Sequence, residues 1–374
     1  MLASLALADC GGGGGGGGGS NLPANCVAPI PNLSGATVNA AMNHGTSVAI
    51  SGGSALGAKN PVLPVVVDGA TGAAPFLNKW DGFWPTENPT FNVAYRDVPT
   101  VSPPHGRQSV PNRYIAGAHY SSSSAEAGYA VMFWKNRTIA SYPAYTYASW
   151  YQRMDNSWTF HLGSPDDGNL KVWDYSIGTE PYDANNWYLE FNPQPQSTSD
   201  TPGWNITDDG TALQFPDQNG HYSFWDNAVN PMSGWTKIEV EIKYTNQSNG
   251  YIKLWENGAQ KINYVGRTDS YPGTARSESI GGYARSQCNT VNCNNWRYFA
   301  DVYLDYTPAR IVLANSANLS TANVVENQIP TNWSDTSINF AVNLGKFNSG
   351  QTAWLFVVNI CGQPSNSGIQ VPIP

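Results

Sequence analysis

Charge is scarce in this chain. Lys and Arg number 19 and Asp and Glu 27 among 374 residues, for a formal net charge of −8. No basic run or Lys/Arg-rich stretch is present. This argues against a nucleic-acid partner, whose phosphates need clustered cations. Long apolar runs are lacking as well. None approaches the ~18 consecutive apolar residues of a membrane-crossing helix. The five histidines, His44, His105, His119, His161 and His221, form no pair at metal-binding spacing. Extended helical periodicity is missing too. Gly (37) and Pro (26) are frequent instead, which favours short strands joined by many turns.

What is present is clearest in residues 235–264, WTKIEVEIKYTNQSNGYIKLWENGAQKINY. Ile238, Val240, Ile242 and Tyr244 alternate with Lys237, Glu239, Glu241 and Lys243. A period of two predicts a strand with one buried and one wet face. A second strand places Ile252 and Leu254 on one face and Tyr251, Lys253 and Trp255 on the other. Asn257-Gly258 then marks a hairpin, because both central residues of a type I′ turn need φ > 0. Further strands are predicted at 129–135, 144–154, 169–176, 186–192, 220–225 and 297–305. So many strands over residues 69–308 predict a two-sheet sandwich.

The strand pair at 235–258 resembles that of concanavalin A-like jelly rolls, which include laminin G-like modules and polysaccharide lyases. The end segments resemble a second family. HGTSVAISGGSALGAK near the start, and PTNWSDTSINFAVN near the end, are similar to IPT/TIG domains, which are immunoglobulin-like. Together these resemblances imply an all-β protein. A concanavalin A-like jelly-roll sandwich (69–308) is inserted in a smaller Ig-like β-sandwich (25–68 and 309–374). Two unrelated end segments packing on the large domain is the alternative.

MLASLALADC followed by an unbroken polyglycine run resembles the end of a bacterial lipoprotein signal peptide. The resemblance implies lipidation of Cys10, with residues 11–24 as a flexible tether. Asp9 departs from the small residue expected there. A non-lipidated, low-complexity leader is the alternative. Four cysteines remain. Cys288 and Cys293 lie five apart and would close a small ring, leaving Cys26 to pair with Cys361. A zinc site at the C-x4-C spacing is the competing reading, with no histidine near.

The jelly-roll resemblance implies a concave sheet holding a glycan. Sugars need aromatic faces and polar groups for their hydroxyls. Strand phase offers Tyr151, Arg153, Tyr188, Glu190, Lys253, Trp255, Arg297 and Tyr303 as glycan-binding residues, with Trp255, Tyr188, Tyr303 and Arg297 on one solvent-facing surface. Covering of the other face is the plain alternative for each. No catalytic set is assigned. The E-x-D-x-x-E of related glucanases is absent, and Glu239-Val-Glu241 is its nearest approach. Lyase-type candidates would be Tyr303, Arg297, Arg153 and His161. No cofactor is expected. The Asp166-Asp167-Gly168 and Asp208-Asp209-Gly210 loops are either Ca²⁺ ligands or ordinary solvated turns.

The sequence reading is therefore an exported bacterial protein, lipid-anchored at the outer membrane or cell surface, that binds a polysaccharide or surface glycan without turnover. A polysaccharide lyase or glycoside hydrolase is one alternative. A structural or adhesive surface protein is the other.

Overall fold

The computed structural model describes residues 26–70, 75–86, 89–101, 104, 113–120, 130–135, 144–155, 170–177, 187–192, 203–208, 221–225, 234–269, 276–284 and 294–374. All extended elements in it are antiparallel strands. The first are β1 (Thr37–Val38), β2 (Ser47–Ser51), β3 (Val66–Asp68), β4 (Gly82–Trp84), β5 (Ala94–Asp97), β6 (Arg113–Tyr120), β7 (Val131–Trp134) and β8 (Tyr145–Met154). Next come β9 (Leu170–Ile177), β10 (Trp187–Asn192), β11 (Gly203–Asp208), β12 (His221–Trp225), β13 (Thr236–Lys243), β14 (Gly250–Glu256), β15 (Ala259–Gly266) and β16 (Arg276–Gly282). The last are β17 (Asn294–Asp305), β18 (Arg310–Ala314), β19 (Val325–Trp333), β20 (Ser337–Ala341), β21 (Thr352–Val358) and β22 (Ile369–Pro372).

The two ends of the chain share one sheet, in the order β1-β2-β20-β19-β18-β21-β22. In β2 the alternation of SVAIS buries Val48 and Ile50. In β20 that of SINFA buries Ile338 and Phe340. The two strands pair with Val48 opposite Phe340 and Ile50 opposite Ile338. β19 shifts register between Pro330 and Asn332, where Pro330 has no N–H to donate. Side chains from all the longer strands of this sheet meet in one core, with Leu33, Leu313, Trp333, Leu355 and Val371 among them. A disulfide joins Cys26 to Cys361, with Cα atoms 5.6 Å apart and a sequence separation of 335. The ring expected between Cys288 and Cys293 lies outside the described residues, as do Cys10 and the polyglycine run.

The middle of the chain forms a jelly-roll sandwich. One sheet runs β15-β14-β13-β8-β17-β6-β5 with β3 added on β17; the other runs β12-β11-β10-β9-β16-β7-β4. Within this sandwich the chain changes sheet after β3, β4, β6, β7, β8, β12, β15 and β16. Each inner face supplies apolar side chains to one core. Large aromatics fill it, with Trp150 stacked on Trp173 (centroids 6.2 Å) and Tyr175 between Trp187 and Tyr244 (5.0 and 5.1 Å). Each fully buried ring of this size contributes roughly 3 kcal/mol through area removed from water.

Two expectations change here. Residues 66–68 were grouped with the first end segment, yet β3 pairs with β17 and joins the large sandwich. Its Asp68 is fully buried and accepts from Trp80 Nε1 (2.8 Å) and the Tyr95 hydroxyl (2.6 Å). The wet face predicted for β13 is not wet. Lys237, Glu239 and Glu241 are all buried, because the small sandwich lies against them.

Candidate functional site

The outward side chains of the β8-bearing sheet fall into rows set by strand register. One row holds Lys253, Glu241, Tyr147 and Asp305. The next holds Trp255, Glu239, Ser149 and Tyr303. Then come Lys237, Tyr151 and Ala300, and finally Arg153 with Tyr298. The face is therefore built of phenols, carboxylates and cations at strand spacing.

Most of these rows meet the small sandwich. Tyr147 donates its hydroxyl proton to Glu239 (2.7 Å), and Asn327 Nδ2 donates to the Tyr147 hydroxyl (3.0 Å) and to Ser149 Oγ (2.9 Å). Tyr151 donates to Glu326 Oε1 at 2.6 Å. Lys237 Nζ reaches Glu326 Oε2 at 3.3 Å, Glu239 at 3.7 Å and the Val325 carbonyl. Arg310 pairs with Glu241 (3.4 Å) and lies over the Tyr147 ring at 4.3 Å. Lys59 pairs with Asp305 at 2.8 Å, both side chains essentially inaccessible. Burial pushes the Tyr145, Tyr147 and Tyr303 phenols well above the usual tyrosine value, and adjacent carboxylates push the same way. Burial opposes the charge on Lys237, but Glu239 and Glu326 outweigh it and hold its pKa above the ordinary lysine value.

The eight residues expected from sequence do not form one surface. Tyr188 and Glu190 lie on β10, in the opposite sheet. Glu190 is buried there and accepts from Thr207 Oγ1 at 2.6 Å, while Lys171 Nζ lies 3.2 Å from the Tyr188 ring centre. Arg297 points into the sandwich. It is wholly buried, donates to Gln152 Oε1 and the Lys171 carbonyl at 2.9 Å each, and burial pushes its pKa down to about 9. The reason is a bulge in β17. Three steps from Ala300 to Tyr303 face two steps from Tyr151 to Ser149, with Asp301 at φ 48°. One extra residue reverses strand phase. Tyr298 faces outward and Arg297 inward, although Tyr303 beyond the bulge also faces outward.

Tyr303 is buried with Tyr145, Tyr147 and Tyr251, and its hydroxyl donates to Asp305 (3.2 Å). Tyr151 is buried under Glu326. Trp255 and Lys253 are half-buried, and Lys253 Nζ lies 4.4 Å over the Tyr251 ring. Arg153 is half-buried at the last row. The lyase-type set of Tyr303, Arg297 and Arg153 is thus split between a buried joint, the sandwich interior and the outer face. His161 lies outside the described residues. Among the described residues, no cluster of three or more His, Cys, Asp or Glu could hold a metal ion.

One end of the face lies beyond the contacts with β18 and β19. There Tyr114, Trp235 and Tyr298 pack together, with Tyr114 5.2 Å from Trp235 and 6.2 Å from Tyr298 between ring centres. Trp296 joins the same cluster, with the Arg96 guanidinium 5.0 Å over its ring. Trp235, Trp296, Arg96 and Arg153 are half-buried. Lys346 of the small sandwich approaches from the side, 5.5 Å from the Tyr151 ring. Strand phase turned Tyr298 of this cluster inward for the same reason it misplaced Arg297. The two tryptophans at strand starts, Trp235 and Trp296, were its visible signal.

No family model matches the chain, and no curated protein matches it. Solved structures do resemble it. One is an endo-β-1,4-glucuronan lyase from the fungus Trichoderma reesei, at 13% identity over 61% of this chain and 92% of that one, TM-score 0.40. Another is alginate lyase Aly36B, at 9% identity over 65% and 97%, TM-score 0.41. A third is the carbohydrate recognition domain of Emp46p in its metal-free form, at 11% identity over 52% and 88%, TM-score 0.30. At these scores the likeness transfers neither activity nor residue roles.

Proposed function

We propose that this protein binds a polysaccharide or surface glycan without turning it over, at the aromatic end of the outer face. The cluster of Tyr114, Trp235, Trp296 and Tyr298 beside Arg96 and Arg153 carries this reading. Half-buried indoles present flat apolar surface to the C–H faces of sugar rings, and guanidinium groups offer paired donors to hydroxyls. Non-catalytic binding is favoured because Glu239, Glu241 and Asp305 of the same face are committed to other partners. Glu239 accepts from Tyr147, Glu241 from Tyr251 and Arg310, and Asp305 from Tyr303 and Lys59.

Retention on a panel of immobilised polysaccharides tests it. Trp296→Ala and Trp235→Ala are each expected to weaken retention about tenfold or more, since one stacked ring is worth about 1–3 kcal/mol. Their thermal unfolding should stay near that of the parent. Unchanged retention in both folded variants would remove the site. Accumulation of unsaturated or shortened products with the parent protein would replace binding by lyase or hydrolase activity.

The reading places the protein at a bacterial cell envelope, anchored through a lipid on Cys10, with the end segments as one discontinuous IPT/TIG-like module. The Cys26–Cys361 disulfide supports an oxidising compartment, and the pairing of β2 with β20 supports the discontinuous module. Mass spectrometry of the protein from bacterial membranes should find an acylated Cys10 as the mature N-terminus. An unmodified residue 10 would remove the anchor.

A further inference from the structure

Glu326 projects from β19 of the small sandwich onto the large one and is buried to 2% exposure. Its Oε1 accepts from the Tyr151 hydroxyl at 2.6 Å and from the Lys346 backbone N–H at 3.2 Å. Its Oε2 lies 3.3 Å from Lys237 Nζ. Tyr151 and Lys237 are cross-strand neighbours on β8 and β13. A phenol and an ammonium held side by side on rigid strands form a charge-assisted carboxylate cradle. Here one carboxylate, Glu239 at 3.7 Å from Lys237, belongs to the same sheet, and the closer one comes from the other sandwich.

The joint around this contact is polar. Among the described residues, each apolar cluster lies wholly within one sandwich. Bridging contacts are instead Arg310–Glu241, Lys59–Asp305, and Asn327 with Tyr147 and Ser149. Polar joints between domains of one chain permit relative motion more readily than apolar ones. Buried ion pairs add little net stability, because desolvation offsets their attraction.

We propose that Tyr151 and Lys237 form a carboxylate-binding subsite of the large sandwich that the chain's own Glu326 fills, so that the small sandwich caps it against carboxylated polysaccharides. The subsite adjoins the aromatic end, since Tyr151 packs in the cluster of Tyr114 and Tyr298, and it rests on the preceding reading in taking its ligand to be a saccharide. Ser149 and the Tyr147 hydroxyl lie in the adjacent rows on the same face, and Trp255 adds a half-buried ring beyond Glu239. A sugar ring bearing a carboxylate needs that combination. The cap and the polysaccharide compete for one pair of donors.

The test uses the full-length, disulfide-bonded protein and two probes, polygalacturonate and its fully methyl-esterified form. They share a backbone and differ in free carboxylates. Glu326→Gln weakens the internal competitor, and retention on polygalacturonate should rise about tenfold, the scale of one charge-assisted hydrogen bond. Retention on the ester should not change. Adding Lys237→Met to Glu326→Gln should abolish the gain. A folded Glu326→Gln protein with unchanged polygalacturonate retention overturns the proposal, and so does an equal gain on the ester. Should Glu326→Gln fail to fold, amide hydrogen exchange of the parent decides. Faster exchange in β18 and β19 with polygalacturonate is expected, and unchanged exchange overturns the cap. Trp296→Ala should leave the Glu326→Gln gain intact, so failure at the aromatic end and failure of the cap are read separately.

Discussion

Replacing Lys59 by methionine should destabilise the protein by about 3–5 kcal/mol, the usual cost of stranding one partner of a buried ion pair. Lys59 sits on the chain's first crossing between the sandwiches. Asp305 stands at the end of β17, where the chain crosses back. Their side chains meet at 2.8 Å with 0% and 1% exposure. Asp305 also accepts from the Tyr303 hydroxyl and the Thr307 backbone N–H, but neither carries charge. Burial already pushes the Asp305 carboxyl above its usual value, and Lys59 is the main force pulling it down. Without Lys59 the native state favours the protonated acid still more. The deficit should therefore be smallest below about pH 4, where the unfolded carboxyl is protonated too, and grow as pH rises. Denaturant unfolding at several pH values reads both effects. Lys59→Met with Asp305→Asn should recover much of the loss, because no lone charge remains. A change under about 1 kcal/mol at neutral pH would show that water reaches the pair.

The protein should also lose its fold between about pH 10 and 12. Burial pushes the phenols of Tyr114 and Tyr298 up to about 12, with Arg153 pulling weakly the other way on both. Those of Tyr145, Tyr147 and Tyr303 are pushed well above the usual tyrosine value by burial and by neighbouring carboxylates. In the unfolded chain all of them ionise near 10. A raised native pKa means stabilisation that is complete below about pH 10 and lost as pH climbs through the native value. With five phenols acting together, the loss amounts to several kcal/mol. Absorbance titration should show a delayed tyrosinate signal that appears together with the loss of β-sheet circular dichroism. Smooth ionisation centred near 10, with the sheet signal intact, would mean that these rings are open to water.

The sheets were legible in the chain because their strands alternate. β8 and β10 each begin one residue later than the expected 144–154 and 186–192, and β9 is shifted by one residue from 169–176. β6 and β16 gave no such signal. RYIAGAHY and RSESIGG are rich in small residues. A Cβ on Gly117 would lie 2.9 Å from Val93 and 3.0 Å from Val131, so close approach rather than apolar bulk shapes β6 there. Pairing of Cys26 with Cys361 was also legible, by counting the cysteines left once Cys10 and the Cys288–Cys293 pair are set aside.

The site was less legible, for two physical reasons. Strand phase is a local property that one bulge reverses, and the residue at left-handed φ was Asp301 rather than a glycine that would have marked it. Burial of an outer face is a tertiary property. Lys237, Glu239 and Glu241 look solvated in the sequence because their partners, Glu326, Tyr147 and Arg310, lie elsewhere in the chain. Sheet membership likewise depends on the order of crossings, and this sent Tyr188 and Glu190 to the sheet opposite Trp255.

The bridge between Cys26 and Cys361 also sets the mechanical path through the molecule. A pull applied to the two termini enters at residue 26, crosses one sulfur–sulfur bond and leaves at residue 361. None of the chain between them, a sequence separation of 335, is in line with the load. The jelly roll and the joint beneath it hang from the force path as a side loop, shielded from tension. Cutting that one bond would place about 1,100 Å of extensible chain in series. Thiol chemistry at a single position thus decides whether this protein behaves under tension as a short rigid link or as a long, yielding one.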